Sequence, residues 1–127
     1  MQSTQYPSEY DAIVRTMQHY IEGCRHGRSD QMRGAFHPQS SFFGYAGENL
    51  VTGTDFLFHW IDDNGPAPGI EPRIVSVDIL ETIAVVRLEV AGFSGKLAGA
   101  DVRMSDVFTL LKTDTGWTII QKAFHWH

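Results

Sequence analysis

The pair of β-rich runs that closes the chain constrains its fold more than any other segment. Ser105-Asp106-Val107-Phe108-Thr109-Leu110-Leu111-Lys112 and Trp117-Thr118-Ile119-Ile120-Gln121-Lys122-Ala123-Phe124 flank the polar stretch Thr113-Asp114-Thr115-Gly116. Apolar, β-branched runs on either side of a glycine-ended turn predict an antiparallel hairpin. Side chains alternate along a strand, so Asp106 shares a face with Met104, Phe108 and Leu110. A carboxylate among apolar neighbours requires a partner, a raised pKa or a water-lined cavity, because burying it alone is costly. The opposite face, with Val107, Thr109 and Leu111 and with Ile83 and Val85 upstream, is largely apolar as well. It calls for a cover, and a second copy of the sheet is the expected one.

Upstream, Ser8 precedes a run in which Tyr10, Ile13, Val14, Met17, Tyr20, Ile21 and Cys24 recur at three- and four-residue steps. That period predicts a long amphipathic helix, with Ser8 as its cap and Gly27 as its end. A short helical turn from Ser29 carries Met32, Ala35 and Phe36 inward and stops before Pro38, with His37 at the break. A brief strand over 40–45 follows, then Thr54 as the cap of a third helix holding Phe56, Leu57, Trp60 and Ile61. From Ile70 the pattern changes to strands, with the glycine-rich stretch 92–100 expected to be a flexible connection. Helices first and strands later predict an α+β domain whose helices pack on one face of a curved antiparallel sheet.

At 127 residues and 43% apolar content, one domain spanning 1–127 is expected. A net charge of −5 with scattered basic residues argues against a nucleic-acid binder. No apolar run reaches membrane-spanning length, and residues 1–8 lack the layout of a secretory signal, so a soluble cytoplasmic protein is expected. Cys24 falls on the apolar stripe of the long helix and reads as a small buried hydrophobe rather than a catalytic thiol.

Tyr10-Asp11-Ala12-Ile13-Val14, Phe36-His37-Pro38, Gly53, the run Asp106 to Lys112, Trp117-Thr118-Ile119 and Lys122-Ala123-Phe124 together resemble the nuclear transport factor 2-like superfamily, a cystatin-like fold. Within it the chain is similar to the putative lumazine-binding branch of small bacterial proteins, although no residue speaks for lumazine itself. The resemblance implies a cone: a strongly bent antiparallel sheet with one long and two short helices on its concave face, paired into homodimers through the sheet. It puts the pocket at the open end of the cone, with His37, Trp60, Asp106 and Phe108 there. Related domains include ketosteroid isomerases, scytalone dehydratase and polyketide cyclases, alongside non-catalytic transport and association modules. The implied function is small-molecule binding in an apolar pocket, with a cofactor-free isomerase, dehydratase or cyclase acting by acid/base chemistry. The alternative is a non-catalytic dimerisation or protein-binding module.

Asp106 and His37 are the candidate catalytic pair. A carboxyl raised in pKa by apolar walls suits proton transfer from carbon, and an imidazole held by a carboxylate moves protons near neutral pH. Against this stand two structural readings: Asp106 as a hydrogen-bonded carboxylate of the fold, and His37 as a group satisfying backbone beside Pro38. Tyr20, Tyr45, Trp60, Phe108 and Phe124 are the expected ligand-binding residues. Tyr20 or Tyr45 would donate to a developing oxyanion. His125 and His127 alternate onto one strand face, but two ligands at a terminus do not make a metal site, so neither a metal nor another cofactor is expected.

Overall fold

The computed structural model describes residues 2–127, with side chains from Pro7 onward. Helix α1 (Gln2–His26) is followed by two 3-10 turns, Ser29–Gln31 and Arg33–Ala35, then strands β1 (Phe36–Ala46) and β2 (Asn49–Thr52). Helix α2 (Thr54–Asn64) precedes four long strands: β3 (Glu71–Leu80), β4 (Ile83–Gly95), β5 (Gly99–Thr113) and β6 (Gly116–Trp126). All six form one sheet in the order β2-β1-β6-β5-β4-β3. The α+β cone follows the expectation, while the sheet is mixed rather than wholly antiparallel. Strand β1 runs parallel to β6, a pairing between segments far apart in the chain that no local turn encodes.

Ile13, Met17, Tyr20, Ile21 and Cys24 of α1 are buried, together with Met32, Ala35 and Phe36. They meet the inner faces of the sheet, where Val86, Leu88, Phe108, Leu110 and Ile119 are fully enclosed. This is the amphipathic stripe packed against the alternating face. Gly27 closes α1 in the left-handed conformation, with φ 67°. Thr16 anchors the helix to the hairpin by donating its hydroxyl to the Trp117 carbonyl at 3.0 Å.

Several boundaries differ from the sequence reading. Ser8 lies inside α1, because extending an existing hydrogen-bond ladder costs less than nucleating one and the helix reaches back to Gln2. Thr54 is the first residue of α2 rather than its cap. Its hydroxyl donates to the Ser40 carbonyl at 3.0 Å and so ties the helix to β1. Strand β1 starts at Phe36 and includes His37 and Pro38. Its register against β6 breaks between Phe36 and Ser41, which keeps a residue without an N–H out of the ladder.

The stretch 92–100 is not a flexible connection. Strands β4 and β5 consume most of it, and the buried Asn64 clamps the remaining turn. Asn64 Oδ1 accepts from the amides of Leu97 at 2.9 Å and Ala98 at 2.8 Å, while Nδ2 donates to the Ser94 carbonyl at 2.9 Å. The close approach demands glycine at 95, where a Cβ would sit 2.2 Å from the Asn64 side chain.

Two bulges decide which residues face inward. Between Val90 and Phe93 strand β4 carries one more residue than β5, with Gly92 at φ 66°. Opposite the Thr109–Leu110 step, β6 runs from Gln121 to Ile119 and leaves Ile120 without a partner. Inward positions are thus Trp117 and Ile119 before this bulge and Lys122, Phe124 and Trp126 after it.

Candidate functional site

The inner face beyond the Ile120 bulge forms one wall of a cavity of about 130 Å³. Phe42 and Ala46 of β1, Phe93 of β4 and Met104 of β5 continue that wall; Tyr20 enters from α1, and Phe56, Leu57, Trp60 and Ile61 from α2. Phe124 stacks on Phe42 with ring centroids 4.9 Å apart and planes 18° from parallel. Trp60 meets Trp126 edge-on at 5.6 Å and Phe93 at 5.8 Å. Gly44 is what lets Phe124 lie against β1, since a Cβ there would fall 2.1 Å from the ring.

Into this aromatic enclosure projects one amine. Lys122 is only 2% exposed, and its Nζ donates to the Tyr20 hydroxyl at 2.5 Å. Four rings surround it, with centroids at 4.6 Å for Tyr20, 5.2 Å for Phe42, 5.6 Å for Phe124 and 5.8 Å for Phe108. A cation over ring faces in a desolvated site gains about 2 kcal/mol. Asp106, 1% exposed, brings Oδ2 to 4.0 Å from Nζ. That separation makes an ion pair but no hydrogen bond, and neither carboxylate oxygen has a hydrogen-bond partner. Burial accordingly pushes the Asp106 carboxyl above the usual carboxylate range, with Lys122 pulling it partly back. Burial also raises the Tyr20 hydroxyl well above its usual value, aided by the negative charge at Asp106, so Tyr20 stays a neutral donor. The neighbouring Cys24 thiol is pushed up to about 11, which leaves it no thiolate character at neutral pH.

Of the residues singled out in the sequence, Tyr20, Trp60 and Phe124 line the cavity. Phe108 lies beneath it, edge-on to Tyr20 at 5.0 Å, and Asp106 sits behind Lys122 rather than in the wall. Tyr45 projects from the other face of β1, half exposed, because the inward positions of that strand are Phe42 and Gly44. His37 is not among the lining residues. Its Nδ1 accepts the Gln39 amide at 3.0 Å, the backbone-satisfying role. The group that sequence reasoning missed is Lys122. Uninterrupted alternation from Trp117 and Ile119 assigns it to the outer face, and only the Ile120 bulge turns it inward. The available signal was local: Lys122, Phe124 and Trp126 alternate, placing an amine in line with two aromatics.

His125 and His127 lie on the outer side, with rings 4.8 Å apart and His127 Nε2 2.8 Å from the Ser105 hydroxyl. Among the described residues no group of three or more His, Cys, Asp or Glu side chains is arranged to hold a metal ion. No helix among them is long and apolar enough to cross a membrane.

Residues 8–125 match the model of the family described as "Putative lumazine-binding". The chain belongs to this family. Its fold is that of the nuclear transport factor 2-like superfamily, as two similar crystal structures show. An NTF2-like protein of unknown function from Shewanella baltica OS155 is 36% identical, with a TM-score of 0.87 and 96% of each chain covered. One from Methylobacillus flagellatus KT is 34% identical, with a TM-score of 0.86, covering 94% of this chain and 93% of that one. Among curated proteins, the aldolase FrzH of Cladobotryum sp is 28% identical over 119 residues, spanning 93% of this chain and 91% of its own.

Proposed function

We propose that this family member binds a small, ring-containing carbonyl compound in the aromatic cavity and moves protons at the carbon beside the carbonyl without a cofactor. The observation that carries this reading is the polar head of an otherwise apolar pocket: the Lys122 amine, held by the Tyr20 hydroxyl and backed by Asp106. Apolar walls with a few convergent polar groups are the usual make-up of a small-molecule site. The volume suits a single ring, since an apolar cavity of about 150 Å³ accepts benzene. A carbonyl oxygen beside Nζ and the Tyr20 hydroxyl would have two donors aimed at the charge that develops on enolisation. The name of the curated relative, an aldolase, supports chemistry at the carbon beside a carbonyl.

The test is deuterium exchange at the α-carbon of cyclohexanone in heavy water, followed by NMR. The protein should accelerate exchange, and Tyr20→Phe and Asp106→Asn should each slow it by about tenfold or more. Exchange no faster than with a lysine-matched peptide mixture would refute the reading.

A homodimer through the sheet is the second part of the proposal. Phe43, Tyr45, Val85 and Val107 are exposed on the face opposite the helices, and Phe43 and Val107 lie in one row across β1, β6 and β5 with Ala123 between them. An apolar row of this kind on a sheet face that no helix covers is commonly closed by a second copy.

A further inference from the structure

We infer that Lys122 is a covalent catalyst: its amine condenses with the carbonyl of the bound compound to form an imine, and the reaction runs through the derived enamine. The inference rests on the pocket reading above and deepens it. Three placements in the structure carry it. Nζ faces the cavity from the wall rather than from solvent, so a ring seated against Phe42 and Phe124 presents its substituent to the amine. Asp106 stands 4.0 Å behind the same nitrogen with both oxygens unpartnered, so it has room to take a proton. Tyr20 touches the nitrogen at 2.5 Å and can hand a hydrogen bond to whatever oxygen arrives beside it.

The step balances within these groups. Lys122 gives one proton to the Asp106 carboxylate and becomes a neutral amine. The nitrogen lone pair forms a C–N bond to the carbonyl carbon, giving a carbinolamine whose oxygen is hydrogen-bonded by Tyr20. Protons from the nitrogen and from Asp106 convert that oxygen to water, the C–O bond breaks, and an iminium ion is left. Its positive charge occupies the place the ammonium held, over the same rings and opposite the restored Asp106 carboxylate, so the cage already fits the intermediate. Loss of an α-proton to the water released in that step gives the enamine, since Asp106 lies behind the nitrogen and outside the cavity wall. This can add to a second carbonyl carbon to form a C–C bond while the acceptor oxygen takes up that proton, and water then hydrolyses the product iminium to return the amine. No electron acceptor is needed.

Reductive trapping tests this on the unaltered protein, because the chain carries its own controls in the solvent-facing Lys96 and Lys112. Incubated with cyclohexanone and cyanoborohydride and mapped by peptide mass spectrometry, Lys122 should take the cyclohexyl group about tenfold or more faster than Lys96 or Lys112. Asp106→Asn should slow trapping at Lys122 alone by a similar factor. Ketone recovered from water enriched in oxygen-18 should carry the label. Adducts spread evenly over the lysines would overturn the inference. Accelerated α-deuterium exchange without a Lys122 adduct would overturn it while leaving the pocket reading intact. Absence of both would overturn the two together.

Discussion

A buried ammonium and a buried carboxylate 4.0 Å apart are stable as a pair and expensive apart. Lys122→Met should therefore destabilise the protein by about 3 kcal/mol, the low end for a broken buried pair because Asp106 can respond by taking up a proton. Combining it with Asp106→Asn should cost less than the two single changes added, with a coupling of about 1–3 kcal/mol in urea denaturation. The pH dependence has a definite sign. Burial raises the native Asp106 carboxyl above its unfolded value, so the native state holds a proton that the unfolded chain releases first. Its contribution is complete below the ordinary carboxylate pKa and is lost as pH rises through the raised one. Asp106→Asn should flatten that fall in a melting-temperature series. Glu89, held down by the Ser105 hydroxyl and Arg87, acts oppositely: its contribution is lost on acidification. At this scale Asp106 was readable from the sequence because β5 alternates without interruption from Met104 to Leu110. Lys122 was not, because one unpaired residue upstream reverses its side. His37 is a different case: a histidine beside a proline signals a break in structure as readily as it signals chemistry.

The elements owe their positions to a few contacts that a strand or helix pattern cannot express. Gly44→Ala would push a methyl group into Phe124 and part the Phe42–Phe124 stack. A loss of about 1–3 kcal/mol is expected from overpacking. Binding of cyclohexanol, measured by tryptophan fluorescence, should weaken in parallel. Asn64→Ala would release three hydrogen bonds that hold the β4–β5 turn, at a cost of about 2–4 kcal/mol. Hydrogen exchange at Leu97 and Ala98 should rise with it. Both are glycine-and-partner arrangements in which the glycine was visible in the sequence and its partner was not. Long-period signals fared better: the α1 stripe from Ile13 to Cys24 and the alternation through β4 and β5 matched the burial that the structure shows, whereas Tyr10 and Val75 are exposed and β6 breaks at Ile120. The parallel β1–β6 pair joins residues about 80 positions apart in sequence, such as Ala46 and Trp126, and nothing short-range announces it.

For the whole molecule, the sheet's two faces divide the labour, one enclosing the cavity and the other offering Phe43, Tyr45, Val85 and Val107 outward. Val107 is 44% exposed and sits near the middle of that outer face. If a second copy covers it, Val107→Lys with Val85→Lys should convert a dimer to a monomer of 14.3 kDa by light scattering, with no change in cyclohexanone exchange. A dimer indifferent to both charges would place the interface elsewhere.

The unpaired Ile120 gives the cavity an unusual kind of fragility. Identity at that position matters little, whereas the bulge itself does: the extra residue is what puts Lys122, Phe124 and Trp126 on the same face as Trp117 and Ile119. Were Ile120 to take a regular place in the ladder, alternation would carry Gln121, Ala123 and His125 inward and those three side chains to the surface, with no residue changed. Deleting Ile120 would leave both halves of the strand facing as they do, so a relative that lacks the extra residue would keep the pocket; what the strand cannot absorb is loss of the bulge with the residue retained.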